Sequence, residues 1–276
     1  MHIGAHVSIA GGVYNAPINA AKAGCECFQM FTRSPQGGPA PVLDTDTVNS
    51  FHANMKRYKQ AAVYVHTPYY INLASATDRI RLNSIRVIRE ELERGSLLGA
   101  KALMTHLGSS ADVGQKQAVQ KVIAGIKKIV DEYRGITRFL LEIAAGSGNI
   151  IGDTFEEIGQ IIKAVPEYPL GVCFDTCHAF VSGYDLRTKK AVDATLNSFD
   201  KAIGLEKLIV IHANDAMSAL GSHRDRHEHI GYGQIGKDGF YALLHQPRLR
   251  EVDFILETPP GGKGINDIST LKELRK

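Results

Sequence analysis

A chain of 276 residues with 44% hydrophobic residues, 22% charged residues and a net charge of +3 reads as an ordinary globular protein, one large domain or two small ones. No run approaches the ~20 apolar residues of a membrane span, and Met1-His2-Ile3-Gly4 opens on a strand, without a signal peptide's charged start and apolar core. Four cysteines (Cys25, Cys27, Cys173, Cys177) are too few for a disulfide scaffold, so a reducing, cytoplasmic compartment is expected; the small positive charge is compatible with a polyanionic partner without pointing to one.

Strand and helix patterns alternate along the chain. Ile3 to Val7 reads as the first strand, and a Gly11-Gly12 turn leads to a helix from about Val13 to Lys22. Cys27 to Phe31 is the second strand, followed by the Pro/Gly-rich loop Thr32 to Pro41 and a helix with Val48, Phe51 and Met55 on one face. The third strand ends at His66, and its helix spaces Ile85, Ile88 and Leu92. The fourth ends at His106, before an amphipathic stripe of Val119, Val122, Ile123, Ile126 and Val130. The fifth ends at Glu142 and enters the loop Ala144 to Asn149. Asp153 with Glu156 predicts a capping box for a helix buried through Ile158, Ile161, Ile162 and Val165. The sixth, Leu170 to Phe174, ends in Asp175, with His178 three residues on. The seventh ends at His212 and opens a loop of more than twenty residues, to about Gly236. The eighth ends at Glu257, and a last helix runs near Ile265 to Leu274.

Eight βα units at roughly thirty-residue spacing, in a chain near the typical ~250 residues, predict a (β/α)₈ TIM barrel. No linker or composition shift divides it, so residues 1–276 are expected to form a single domain. An open doubly wound sheet is the competing fold, but it gathers ligands near one switch point instead of at six strand ends.

Parallel barrel strands point their C-terminal ends at one mouth. His66, His106, Glu142, Asp175, His178, His212 and Glu257 are therefore expected to converge there. Asp225-Arg226-His227 adds two more side chains from the seventh loop, if alternate residues of an extended segment point the same way. Mixed imidazole and carboxylate donors suit zinc, manganese or iron better than magnesium. The count fits three metals with one carboxylate bridging. Any single strand-end His or Asp is more often a packing or capping residue than a ligand. Six such ends together would crowd carboxylates without a counter-charge. His6 is expected behind the site, not in it; His52 and His245 read as surface residues, and His223 and His229 as solvated loop residues.

These residues resemble the endonuclease IV type of apurinic/apyrimidinic endonuclease across essentially the whole chain. The most specific pieces are Gly171 to Phe180 (GVCFDTCHAF) with Gly183 to Arg187, His212-Ala213-Asn214-Asp215, and Asp225 to Gly231. The resemblance implies a TIM barrel with three zinc ions that cuts double-stranded DNA 5′ to abasic sites. It implies that His66, His106 and Glu142 hold the first metal, and that Asp175, His212 and Glu257 complete a second bridged by Glu142. His178, Asp225 and His227 would hold the third, with manganese or iron possible at some sites. A hydroxide between the first two ions would attack phosphorus in line. Glu142 and Glu257 are the carboxylates assigned to catalysis, the products are a 3′-hydroxyl and a 5′-deoxyribose phosphate, and a monomer is expected.

Three segments depart from the family pattern. Pro35 to Pro39 replaces the Arg and Trp that press into DNA, Ile143 to Ser147 lacks the family's side-chain amides, and Ala216-Met217 stands where Ser-Lys is usual. Tyr69 and Tyr70 remain as candidate wedges, and Arg33, Arg187, Arg224 and Arg226 as candidate phosphate contacts. The rival readings are a metal-dependent sugar isomerase or epimerase on the same barrel, which leaves Asp225 and His227 without a purpose, and a lesion-binding protein that has lost cutting.

Overall fold

Eight parallel strands close on themselves in the computed structural model, which describes residues 1–111, 113–259 and 266–276. They are β1 (Ile3–His6), β2 (Cys27–Met30), β3 (Val63–His66), β4 (Ala102–Thr105), β5 (Arg138–Glu142), β6 (Gly171–Asp175), β7 (Leu208–His212) and β10 (Asp253–Leu256). Between the last two lies an antiparallel ribbon of β8 (Asp215–Ala216) and β9 (His227–Glu228). Chain order is kept around the ring, which shuts where Ile3 pairs with Phe254.

The strands are apolar runs because both faces are covered. Tyr64, Met104, Leu140, Cys173, Val210 and Ile255 fill the axis. Phe28, Val63, Leu103, Phe139 and Leu141 point the other way, under the helices. At one point the ring is too tight for any side chain: a Cβ on Gly4 would lie 1.8 Å from the Cys27 carbonyl oxygen. The strand-closing helices are α1 (Ala16–Ala23), α2 (Thr45–Arg57), α3 (Asp78–Leu97), α4 (Gln115–Val130) and α5 (Phe155–Lys163). After them come the short α6 (Thr176–Val181), then α7 (Lys189–Ala202), α8 (Gly236–Leu244) and α9 (Asp267–Leu274). The stripe expected on α4 is buried at Val119, Val122 and Ile126.

Four local readings differ from the sequence expectation. Val13–Asn15 forms a 3₁₀ turn, and the α-helix starts only at Ala16. The cap of α5 is Thr154, not Asp153: its hydroxyl accepts from the Glu157 N–H, and Glu157 reaches back to the Gly152 N–H at 2.6 Å. The loop after β7 is partly ordered as the β8–β9 ribbon. Helix α6 was not expected. Asp175 nucleates it by accepting from the His178 N–H at 2.8 Å, and six residues are too few to show a period. Ile265, where the last helix was expected to begin, lies outside the described residues.

The N-terminal end of the barrel is plugged by a buried polar network. Asp253 accepts from the Tyr64 hydroxyl (2.7 Å), Lys101 Nζ (3.1 Å) and the His2 N–H (2.8 Å). The mouth is the opposite end.

One ion pair ties the last helix to the barrel floor. Glu26 accepts from the Ile3 N–H and, through both oxygens, from Arg275 just past α9, at 2.7 and 2.9 Å. The Arg275 hydrogen bonds pull the Glu26 carboxyl from 4.5 down to about 2. A carboxylate with a depressed folded pKa stabilises above its unfolded pKa and loses that contribution as pH falls through the folded one. Glu26→Gln should therefore cost about 1 kcal/mol at neutral pH, given partial screening by water. The gap from wild type should close between pH 4.5 and about 2 in denaturant titrations.

Candidate metal centre

All nine side chains expected at the mouth meet there. His66, Glu142, Asp175 and His212 are the last residues of β3, β5, β6 and β7; His106 and Glu257 follow β4 and β10 by one residue. His178 comes from α6, His227 opens β9, and Asp225 lies two residues before it. Their ligand atoms fall into three groups, each within 4.8 Å: His66, His106 and Glu142; Glu142, Asp175, His212 and Glu257; and His178, Asp225 and His227. The cavity above them is about 650 Å³.

Glu142 belongs to two groups and is fully buried. Its Oε2 lies 2.9 Å from His66 Nε2 and 3.5 Å from His106 Nε2, while Oε1 lies 2.8 Å from His212 Nδ1. One carboxylate thus turns an oxygen to each side.

The imidazoles are fixed from behind. His66 Nδ1 donates to the Thr67 carbonyl (2.6 Å), His178 Nδ1 to the Ile143 carbonyl (2.9 Å) and His227 Nδ1 to the Glu257 carbonyl (3.1 Å). His212 Nε2 donates to Gln29 Oε1 at 2.7 Å. A ring whose rear nitrogen carries the hydrogen offers a lone pair at the front. The front nitrogens of His178 and His227 face each other at 3.4 Å, with Asp225 oxygens 3.3 and 3.4 Å away. Two ring nitrogens that close, ringed by a carboxylate, need a positive charge between them, a proton or a cation. The nine residues therefore fit divalent cations by donor chemistry and by orientation.

The electrostatics agree. Burial opposes ionisation of Glu142, yet His106, His212 and His66 hold its carboxyl well below the usual range. Glu257 is likewise lowered against burial, by His212 and His6. Burial works against charge on His178, but Asp175 and Asp225 raise it to about 10. On His106 burial wins and lowers the pKa; its Nδ1 is buried without a partner. Two thiols lie close by. Burial raises Cys173 to about 12 and raises Cys177 as well, so both stay protonated and neither is offered as a thiolate donor.

The residues expected to touch DNA are placed less uniformly. Arg33 is a correction. It is 3% exposed, with Nε 2.6 Å from buried Glu91 Oε1 and Nη2 3.0 Å from Glu90, so its charge is spent anchoring the second-strand loop to α3. Arg187 forks onto Asp185 at 2.9 and 2.8 Å and borders a cleft between α7 and α8 that none of the nine residues lines. Arg224 and Arg226 are exposed and line a depression with Asp225 and Ser147. Tyr69 is 70% exposed beside His66 and His106, its ring edge-on to Phe31, whereas Tyr70 is half-buried against the core. His229, expected in solvent, is buried with Nδ1 2.7 Å from Asp267.

Three buried polar residues behind the cluster receive no role from the sequence alone. Gln29 links His212 and Glu257. Asn214 donates to Asp175 Oδ2 (2.7 Å) and accepts from the Glu257 N–H (2.8 Å). Asp215 accepts backbone N–H groups from Ala216, Gly231, Gly233, Ile235 and Gly236, which pins the far side of the ribbon. Asn214 and Asp215 stand in the His212-Ala213-Asn214-Asp215 piece, whose spacing carries the resemblance but not the bracing partners.

Residues 18–274 match the family described as the xylose isomerase-like TIM barrel. The chain is 38% identical to the probable endonuclease 4 of Halothermothrix orenii over 277 residues, covering 100% of both chains. It superposes on endonuclease IV from Thermus thermophilus with a TM-score of 0.88 at 33% identity, covering 100% of this chain and 98% of that one. A D-tagatose 3-epimerase-like protein shares the fold at 20% identity and a TM-score of 0.73, covering 99% and 95%.

The pairing of Arg33 gives a direct test. Arg33→Met removes the closer of the two guanidinium groups beside buried Glu91, leaving Arg94 at 3.6 Å and the Thr32 hydroxyl, a loss of about 1.5–3 kcal/mol. Chemical denaturation should report that loss, while the salt dependence of DNA binding by the folded variant should match wild type.

Proposed function

The chain belongs to the endonuclease IV family, and we propose that it hydrolyses the phosphodiester on the 5′ side of abasic sites in double-stranded DNA, leaving a 3′-hydroxyl and a 5′-deoxyribose phosphate. It is a DNA-cleaving hydrolase. The observation that carries the finer reading is Glu142, a buried carboxylate with one oxygen turned to each of two imidazole-containing groups.

In this reading the three groups would hold three divalent ions. His66, His106 and Glu142 would take the first; Glu142, Asp175, His212 and Glu257 the second; His178, Asp225 and His227 the third. Zinc suits the mixed nitrogen and oxygen donors best, and manganese or iron would also fit. Bound ions of this kind lower the pKa of water and neutralise the charge that develops on a phosphoryl group. The protein's own share is orientation. The rear hydrogen bonds of His66, His178, His212 and His227 hold the front nitrogens in place, and Glu142 and Glu257 keep the centre anionic. No side chain need act as general base. Tyr69, exposed at the rim, is the candidate to enter a DNA gap, and Arg224 and Arg226 are the candidates for phosphate contact. Residues 1–276 act as one domain, as a monomer, in the cytoplasm; among the described residues no helix is long and apolar enough to cross a membrane.

The test is incision of a duplex carrying one defined abasic site. Wild type should nick on the 5′ side, and a chelator should abolish the nick. Glu142→Gln removes a charge shared by two groups and should slow incision on the order of 10³-fold, the equivalent of several kcal/mol. No nick by metal-loaded protein would contradict the reading and turn attention to sugar substrates. Arg226→Ala should lower the slope of log affinity against log salt by about one contact; an unchanged slope would remove Arg226 from the interface.

A further inference from the structure

Gln29 is a fully buried amide at the end of β2, and it touches three residues of the mouth at once. Its Nε2 donates to Glu257 Oε1 at 2.6 Å and lies 3.0 Å from His6 Nδ1. Its Oε1 accepts from His212 Nε2 at 2.7 Å. The two ends of the amide are not interchangeable here. An ionised carboxylate only accepts, so the NH₂ end must face Glu257 and the oxygen must face His212. His212 Nε2 then has to carry the hydrogen. Nδ1 is then the nitrogen that faces the group, 2.8 Å from Glu142 Oε1, 3.1 Å from Glu257 Oε2 and 3.8 Å from Asp175 Oδ2, and it is the one whose lone pair a cation would take. The opposite tautomer would aim an N–H into that group.

We propose that Gln29 is a positioning residue: it selects the His212 tautomer, turns Glu257 so that Oε2 faces inward, and thereby sets the affinity of the Glu142–Asp175–His212–Glu257 group for a divalent ion. The proposal rests on the metal-dependent reading above. It adds a determinant from a strand whose end holds none of the nine residues. It also explains why an uncharged residue is buried among charged ones. A carboxylate at position 29 would repel Glu257, and an apolar side chain would leave His212 Nε2 and Glu257 Oε1 without the partner they have now.

The experiment is a competition titration of metal-free protein with Zn²⁺ against a chromophoric chelator. Wild type, Gln29→Met and Gln29→Glu are compared, and ¹⁵N shifts of the histidines are read in the metal-free state at alkaline pH. Gln29→Met keeps the side-chain volume and should lose about 10–100-fold in affinity at one site, the usual effect of removing such a support. Its His212 should shift toward the Nδ1–H tautomer, whose hydrogen Glu142 accepts. Gln29→Glu should keep the Nε2–H form yet still bind more weakly, because Glu257 is repelled. Unchanged affinity at every site in Gln29→Met, or an unchanged tautomer, overturns the proposal. Should Gln29→Met fail to fold, unchanged affinity in Gln29→Glu overturns it equally. Wild type that binds no Zn²⁺ would overturn the metal reading itself, whereas three ions bound equally by wild type and Gln29→Met would overturn only the role of Gln29.

Discussion

The charge on Glu142 organises the mouth of this barrel. A carboxylate removed from water costs several kcal/mol unless opposite charge stands close, and Glu142 has no exposure at all. It remains ionised because three imidazoles surround it. Those imidazoles come from β3, β7 and the residue after β4, so the buried charge can be tolerated only when distant parts of the chain are in register. Asp175 and Glu257 add negative charge to the same place. The arrangement draws cations by construction, and this electrostatic demand links the fold to the chemistry.

The barrel keeps that demand apart from what stabilises it. The apolar side chains along its axis separate the cluster from the Asp253 network at the opposite end. The helices pack against the outward faces of the strands, where the side chains are apolar. Strand-end residues are then free to serve the mouth, the usual division of labour in this fold. Rigidity is supplied locally. Asn214 braces Asp175 and Glu257, and Asp215 gathers backbone N–H groups from the segment that follows β9. Arg33, Glu91 and Arg94 tie the base of the second-strand loop to α3.

The barrel and the meeting of six of the nine residues, all but His178, Asp225 and His227, were legible in the sequence because both follow from a local rule. An apolar run that ends in His, Asp or Glu places that side chain at the rim, and parallel strands share one rim. What the sequence hid depends on partners far away along the chain. Arg33 reads as a free loop cation until Glu91, 58 residues on, is folded against it. Gln29 reads as an ordinary strand residue, since its partners lie 183 and 228 residues away. His229 is withdrawn from solvent by Asp267. Helix α6 is set by one capping carboxylate, not by periodicity, and the Thr154 cap of α5 differs by a single position from the expected one. Strand ends are a property of the sequence pattern, while side-chain commitments are a property of the packed chain.

The proposed trinuclear centre, with Glu142 shared between two ions, is open to direct observation. Anomalous diffraction from crystals of zinc-loaded protein tests it most directly. Three peaks are expected, one within each of the three residue groups, with the Glu142 oxygens bound to two different ions. A single peak, or peaks away from these groups while His178, Asp225 and His227 hold nothing, would contradict it.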